Sequence, residues 1–311
     1  MPSPQAVVFE RNKLVNRRIG RVLGCAGFDV KAIEEPEKAD FAQLGELDLV
    51  AGDAFDADLI LRGLRDRPRT KIILYTGEPL DRLLPKALEE PRLHALVGRA
   101  SFEVPPREDD LLHIARRTLA RESAPFDAHL GWGAQKIEYA LSDAAERDAA
   151  VKEVIAFAGR LGAPKRVGEM LGELVHELVM NALYDAPVDE HGRARFAHDR
   201  KAEIKLDAHD AAILRFGSDG VRIAVEVVDR FGRLERKHVF GGLVRALKSG
   251  QMDTQGGGAG LGMMVAYRST TALFYDVEPG RRTRVTGLFD LDLNLREFRL
   301  LPKTIHFPEG T

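Results

Sequence analysis

Cysteine, tryptophan, an excess charge of either sign and long apolar runs are all scarce in this sequence. Its 311 residues include one cysteine and one tryptophan. A lone cysteine excludes an internal disulfide and fits a reducing compartment. Cys25 stands in RVLGCAGF, at an apolar helix end, and reads as a small buried core residue rather than a reactive thiol. The 46 basic and 48 acidic residues nearly cancel, to a net charge of −2. That excludes the strongly basic surface that nucleic-acid binders usually carry, so no nucleic-acid partner is expected. No run nears the roughly 18 apolar residues of a membrane span. The opening MPSPQAVVFERNK lacks the basic-then-apolar form of a signal peptide. A cytoplasmic protein with no membrane partner is expected.

With 44% hydrophobic residues, the chain can bury a sizeable core, and its length leaves room for about two domains. Over the first ~120 residues, apolar runs alternate with amphipathic stretches. AVVF (6–9), LDLVAGDA (47–54), TKIILYTG (70–77) and HALVGRA (94–100) read as buried strands. LVNRRIGRVLGCAG has helical spacing and stops at Gly27, and EDDLLHIARRTLARE (108–122) closes the series as a helix. Strands alternating with helices predict an α/β fold with a parallel sheet covered on both faces. A linker is expected at 123–127, around Pro125.

The rest, 128–311, follows a different pattern. Two long helices are predicted, over 142–163 from a Ser142 or Asp143 cap and over 164–186 from Pro164. AEIKLDAH, AAILRFGS and VRIAVEVVD read as three strands, HVFGGLVRALKSG as a helix, and 271–293 as a hairpin turning at Pro279–Gly280. Two helices followed by mostly antiparallel strands predict an α/β sandwich.

The stretch GGGAGLGMMVAYR (256–268) demands close backbone approach or positive φ. It is no Walker loop, since Met263 and Met264 stand where Lys and Ser/Thr would reach phosphates. It is no dinucleotide fingerprint either, because Leu261 or Met263 takes the place of the third glycine. Elsewhere, Glu169, Glu173, Glu177 and Asn181 recur every four residues and share one helix face. A solvated polar face explains the glutamates. Asn181, among apolar neighbours in LVMNALY, calls for a partner. An amide with a carboxylate one turn earlier suits a hydrated magnesium ion and an attacking hydroxyl. Asp229 ends an apolar strand before RFG, as an Asx turn or as an acceptor for an exocyclic amine.

In that order, these features resemble the GHKL ATPases, the superfamily of gyrase, histidine kinases and anti-sigma-factor kinases. ELVHELVMNAL looks like the Asn box, VVDRFGRL the first glycine box, GAGLGM the second and GRRTRVTGLF the closing strand, over about 142–293. The preceding helix looks most like the anti-sigma-factor serine kinase branch. The resemblance implies ATP and Mg²⁺ as cofactors. It makes Glu177 the catalytic base and Asn181 the magnesium ligand. Asp229 would read the adenine amine, with Thr283 nearby. Gly258, Gly260, Leu261 and Gly262 would serve the phosphates. Two departures stand out: Phe231 replaces the usual glycine, with Gly232 one place later, and VDEHGRARFAHDRK (188–201) lengthens the segment before Asp229.

Residues 5–120 resemble the receiver domain of response regulators, a flavodoxin-like parallel sheet. Asp53 falls at the phosphoacceptor position and Thr76 at the switch hydroxyl. The acidic pair is reduced to Glu10 followed by Arg11, and Arg99 replaces the lysine. Arginine substitutes poorly for a compact ammonium at a fitted site. A receiver-like docking or dimerisation module is therefore the expectation for domain 1–122, ahead of the ATP-binding domain 128–311.

The function implied is an ATP-dependent signalling kinase acting on Ser or Thr of a partner protein, with homodimerisation common among such relatives. A catalytically silent ATP-driven switch and an atypical histidine kinase are the alternatives. His129 has no dimerisation helix around it, and His191, His198 and His209 lack metal-ligand spacing.

Overall fold

The computed structural model describes residues 3–119, 124–200, 202–249 and 259–308. The chain divides into two compact units, one of residues 1–124 with 300–309, the other of 125–299.

In the first unit the elements run β1 (Gln5–Phe9), α1 (Lys13–Ala26), β2 (Asp29–Ile33), β3 (Leu49–Asp53), α2 (Ala57–Gly63), β4 (Lys71–Thr76), α3 (Leu84–Glu89), β5 (Leu93–Gly98) and α4 (Glu108–Leu119). The strands pair in parallel in the order β2-β1-β3-β4-β5. β3 and β5 are buried at every residue, as a sheet covered on both faces requires. Asn12 caps α1 by accepting from the Leu14 and Val15 N–H groups, and Gly27 ends it in the left-handed region at φ 111°. Between β2 and β3 the chain makes only two short 3₁₀ turns, at Pro36–Lys38 and Phe41–Leu44. Cys25 is exposed, contrary to expectation. The buried stripe of α1 is Val15, Ile19 and Leu23, and a residue two places past Leu23 faces away from it.

The second unit contains β6 (Gln135–Leu141), α5 (Ala144–Arg160), α6 (Lys165–Met180), a π-helical turn (Asn181–Asp185), β7 (Ala212–Ser218), β8 (Arg222–Asp229), α7 (Arg236–Ser249), α8 (Ala259–Arg268), β9 (Ala272–Glu278), β10 (Arg282–Asp290) and α9 (Leu295–Leu300). Its sheet has the order β9-β10-β8-β7-β6 and is antiparallel throughout. One face carries α5, α6 and α8. There Phe157 meets Phe216 edge-on at 5.2 Å, and Tyr139 stacks on Phe216 at 6.1 Å. Leu171, Leu174, Val175 and Leu178 of α6 are buried, each contributing about 1.5–3 kcal/mol. A side chain at Gly287 would crowd Leu174 and Thr270 at 2.9 Å, so the glycine lets α6 approach the sheet. The opposite face carries a row of charges across four strands. Arg215 bridges Glu138 (2.5 Å) and the fully buried Glu226 (2.8 Å), and Glu226 also accepts from the Thr286 hydroxyl (3.1 Å).

Two further expectations are corrected, and one strand was not expected at all. AEIKLDAH (202–209) is not a strand. Ile204 and Leu206 are buried, and the Leu206 N–H donates to the Ser142 carbonyl at 2.9 Å, but no ladder forms. β6, by contrast, is an unforeseen edge strand. Residues 300–309, expected with the second domain, belong to the first unit. There β11 (Thr304–His306) adds antiparallel to β5. A side chain at Gly98 would overlap the Pro302 carbonyl, so glycine is what permits this approach.

Candidate functional site

At its C-terminal end α6 widens into the π-helical turn, where the Ala186 N–H donates to the Asn181 carbonyl at 2.9 Å. Such turns are frequent at functional sites. Beside it opens a cavity of about 620 Å³, walled by α6 and this turn, the ends of β8 and β10, Met263 of α8 and the segment 194–200. Asn181, Asp229 and Thr283 all line it. Its volume lies within the usual range of small-molecule pockets.

Asp229 is buried at the end of β8, and its Oδ1 accepts from the Phe231 N–H (2.8 Å) and the Gly232 N–H (3.2 Å). It therefore forms the Asx turn and faces the cavity as well. Burial pushes its carboxyl pKa up; the Phe231 and Gly232 N–H groups and Thr283 oppose the rise. Thr283 stands directly across from Asp229 in the β8–β10 ladder. Its buried hydroxyl lies near enough to favour the carboxylate but outside hydrogen-bond geometry, and has no partner among the described residues. A buried hydroxyl left so is costly unless a ligand or water completes it.

Gly232 sits at φ +61°, where a side chain would overlap the Glu278 carbonyl and the Arg281 and Arg282 nitrogens. Its carbonyl accepts from the Gly280 N–H at 3.2 Å, tying this turn to the β9–β10 turn. Phe231 has no such constraint and is half-buried.

Glu177, one turn before Asn181 on α6, is half-buried. It is not among the residues that line the cavity. Its carboxylate lies against Gly262, where a side chain would overlap Oε2. Gly260, Leu261 and Gly262 form the first turn of α8. Gly258 lies outside the described residues. Among the described residues, no group of three or more His, Cys, Asp or Glu is placed to hold a metal ion. A magnesium site needs less, because Mg²⁺ retains several waters and takes one or two protein ligands together with phosphate oxygens. The Thr283 hydroxyl beside Asp229, unpartnered among the described residues, leaves a polar position in the cavity for a ligand to complete.

Residues that sequence reasoning passed over also line this cavity: Asp185, Arg200, Arg233 and His238. Residues 194–200 form one of its walls. The segment is anchored by the Arg195 N–H to the Pro187 carbonyl (3.0 Å) and by the Tyr184 hydroxyl to the Ala202 carbonyl (3.1 Å). Arg200 pairs with both carboxylate oxygens of Asp185. The asparagine-plus-four spacing of Asp185 was the signal available for it. Arg200 had none.

In the first unit, the sheet's C-terminal end gathers Glu10, Asp53 and Arg99. The Arg99 guanidinium is buried between the two carboxylates, 2.9 Å from Glu10 and paired directly with Asp53. It also lies over the Tyr75 ring at 5.1 Å and the Phe102 ring at 5.0 Å. Asp53 Oδ1 accepts from the Phe55 N–H at 2.7 Å. Burial raises the Asp53 pKa, with the Phe55 N–H and Arg99 opposing. Arg11 turns away from this cluster to Asp56 and Glu37. The buried Thr76 hydroxyl accepts from the Glu78 N–H at 2.9 Å.

No protein-family model and no curated protein matches the chain. Solved structures that resemble parts of it include two receiver-type proteins. A response regulator from Thermotoga maritima is 22% identical over 29% of this chain and 79% of its own, with a TM-score of 0.26. The BeF3-activated DrrB receiver domain is 20% identical over 38% and 98%, with a TM-score of 0.29. A third is the SiaB-SiaC complex from Pseudomonas aeruginosa, 12% identical over 50% of this chain and 88% of its counterpart, with a TM-score of 0.32. Among the described residues, no helix is long and apolar enough to cross a membrane.

Proposed function

We propose that the second unit is a GHKL-type nucleotide-binding domain, and that the chain is an ATP-dependent signalling kinase transferring phosphate to Ser or Thr of a partner protein. The carrying observation is the cavity that brings Asn181, Asp229 and the unsatisfied Thr283 hydroxyl together from three elements distant in sequence. Asp229 and Thr283 suit an exocyclic amine and its hydrogen-bond network. Asn181 would hold Mg²⁺, whose charge would favour phosphate at the α8 end of the cavity. With no side chain at Gly262, the N–H groups of the first turn of α8 would be accessible to phosphate oxygens. Glu177 would take the proton from the attacking hydroxyl as its oxygen bonds to the γ-phosphorus and ADP departs.

In the first unit, the strand order β2-β1-β3-β4-β5 is that of flavodoxin-like receiver folds. Arg99 occupies the space between the two carboxylates that a divalent cation would need to share. We infer a docking or self-association module that works without magnesium and without phosphoryl transfer to Asp53. An atypical histidine kinase is disfavoured by His129, which is buried in a 3₁₀ turn against Phe274 at 4.8 Å rather than displayed on a helix.

Titration calorimetry with ATP, with and without Mg²⁺, tests the reading. Wild type should bind in a magnesium-dependent way. Glu177→Gln should still bind but lose about 10²–10⁴-fold in phosphate transfer or hydrolysis. Binding without any transfer in wild type would leave the ATP-driven switch, and absence of nucleotide binding would overturn both.

A further inference from the structure

The segment that departs most from the family pattern supplies a side chain of unusual geometry to the cavity. Arg200 meets Asp185 through Nε (3.2 Å) and Nη2, which engage the two carboxylate oxygens separately. This fork-to-fork pairing uses the edge of the guanidinium and fixes its plane. No described Phe, Tyr or Trp ring lies over the guanidinium, and the side chain lines the cavity. Both partners are only about a third exposed, and both line the cavity. Asp185 itself is set in place by the π-helical turn, one turn beyond Asn181. The Tyr184 hydroxyl, adjacent to Asp185, holds the Ala202 carbonyl at 3.1 Å and so secures the segment on the far side of Arg200. A planar cation is thus fixed by its edge in the same cavity as the Asp229–Thr283 pair.

We propose that Arg200, oriented by Asp185, is the platform on which the base of a bound purine nucleotide stacks, so that the 194–200 segment determines base affinity at this site. The inference rests on the nucleotide reading above. A guanidinium held in plane attracts the π face of a base without spending side-chain entropy on binding. Lysine would supply the charge but neither the plane nor the double contact with Asp185.

The test is calorimetry of the full chain with ATP and, separately, inorganic triphosphate, which has no base. Arg200→Ala should weaken ATP by about five- to tenfold, the range of a base–cation stack, and leave triphosphate unchanged. Arg200→Lys should lose nearly as much ATP affinity as the alanine variant while keeping the fold if alanine does not. Asp185→Asn, which keeps Arg200 but loosens its plane, should fall between. Equal losses for ATP and triphosphate would make Arg200 a phosphate contact and overturn the platform. Full rescue by lysine, or unchanged ATP affinity in the alanine variant, would do the same. A wild type that binds neither ligand would instead sink the nucleotide reading itself.

Discussion

Gly232→Ala probes whether the turn after Asp229 is built on this glycine. At φ +61°, the left-handed conformation alone costs a β-carbon about 1–2 kcal/mol. The new methyl would also overlap the Glu278 carbonyl and two backbone nitrogens of the β9–β10 turn. Backbone atoms cannot swing aside, so overpacking adds about 1–3 kcal/mol. The sum is about 2–5 kcal/mol. In a unit spanning residues 125–299, each kcal/mol lowers Tm by about 2–4 °C, so a fall of roughly 4–20 °C is expected. Gly280→Ala is the control. Its φ of +71° is comparable, but nothing lies within 4 Å of the added carbon, so only the conformational cost of about 1–2 kcal/mol applies. Scanning calorimetry and urea unfolding of the full chain would compare the two. Equal losses would refute the argument that Gly232 is fixed by close approach. Asp229 loses its turn with Gly232, so ATP affinity should fall in Gly232→Ala at temperatures well below its transition, and not in Gly280→Ala.

Two other perturbations follow from the buried charges. Asp229 has a folded-state pKa raised by burial, so the native state holds its proton more tightly than the unfolded chain. Its favourable contribution is complete below the unfolded value of about 3.9 and is lost as pH rises through the folded value. Asp229→Asn keeps an oxygen for the turn and escapes that loss, so its urea midpoint should gain on wild type from pH 4 to pH 7 while ATP affinity drops. A gap that narrows with rising pH would contradict burial as the dominant influence. Arg99→Ala strands Glu10 and Asp53 without their shared cation and should cost about 3–5 kcal/mol at neutral pH, read by urea unfolding, with the loss smaller near pH 4. Wild-type chain treated with acetyl phosphate and Mg²⁺ should show no phosphoryl adduct at Asp53 by mass spectrometry; a stoichiometric adduct would refute the reading of Arg99 as a filled cation site.

The strands β1, β3, β4 and β5 were legible because parallel, doubly covered strands are written as unbroken apolar runs. The α6 stripe and the order of Asn181, Asp229 and Thr283 were legible because helical spacing and strand ends survive in one dimension. β6 was missed although Ile137, Tyr139 and Leu141 alternate with Lys136, Glu138 and Ala140, because one exposed edge strand after a linker gives only a weak signal. The same alternation misled at 202–209, where Ile204 and Leu206 anchor an extended segment that no neighbouring strand pairs with. Arg200 was illegible for a different reason. Its partner lies 15 residues away across an irregular segment, and such a pairing has no periodicity to betray it. The sequence shows Arg99 in place of a lysine, and the fold adds that one guanidinium pairs with both Glu10 and Asp53.

The return of residues 300–309 to the first unit affects the order in which the protein can be made. Its parallel strands emerge from the ribosome early, yet the strand that covers the outer edge of β5 emerges only after all of residues 125–299. The second unit, contiguous in sequence, can complete its own sheet during that interval, while β5 still presents an open edge of unpaired N–H and C=O groups. The unit synthesised first is thus the one closed last, and its exposed edge must be kept from other chains until β11 is in place.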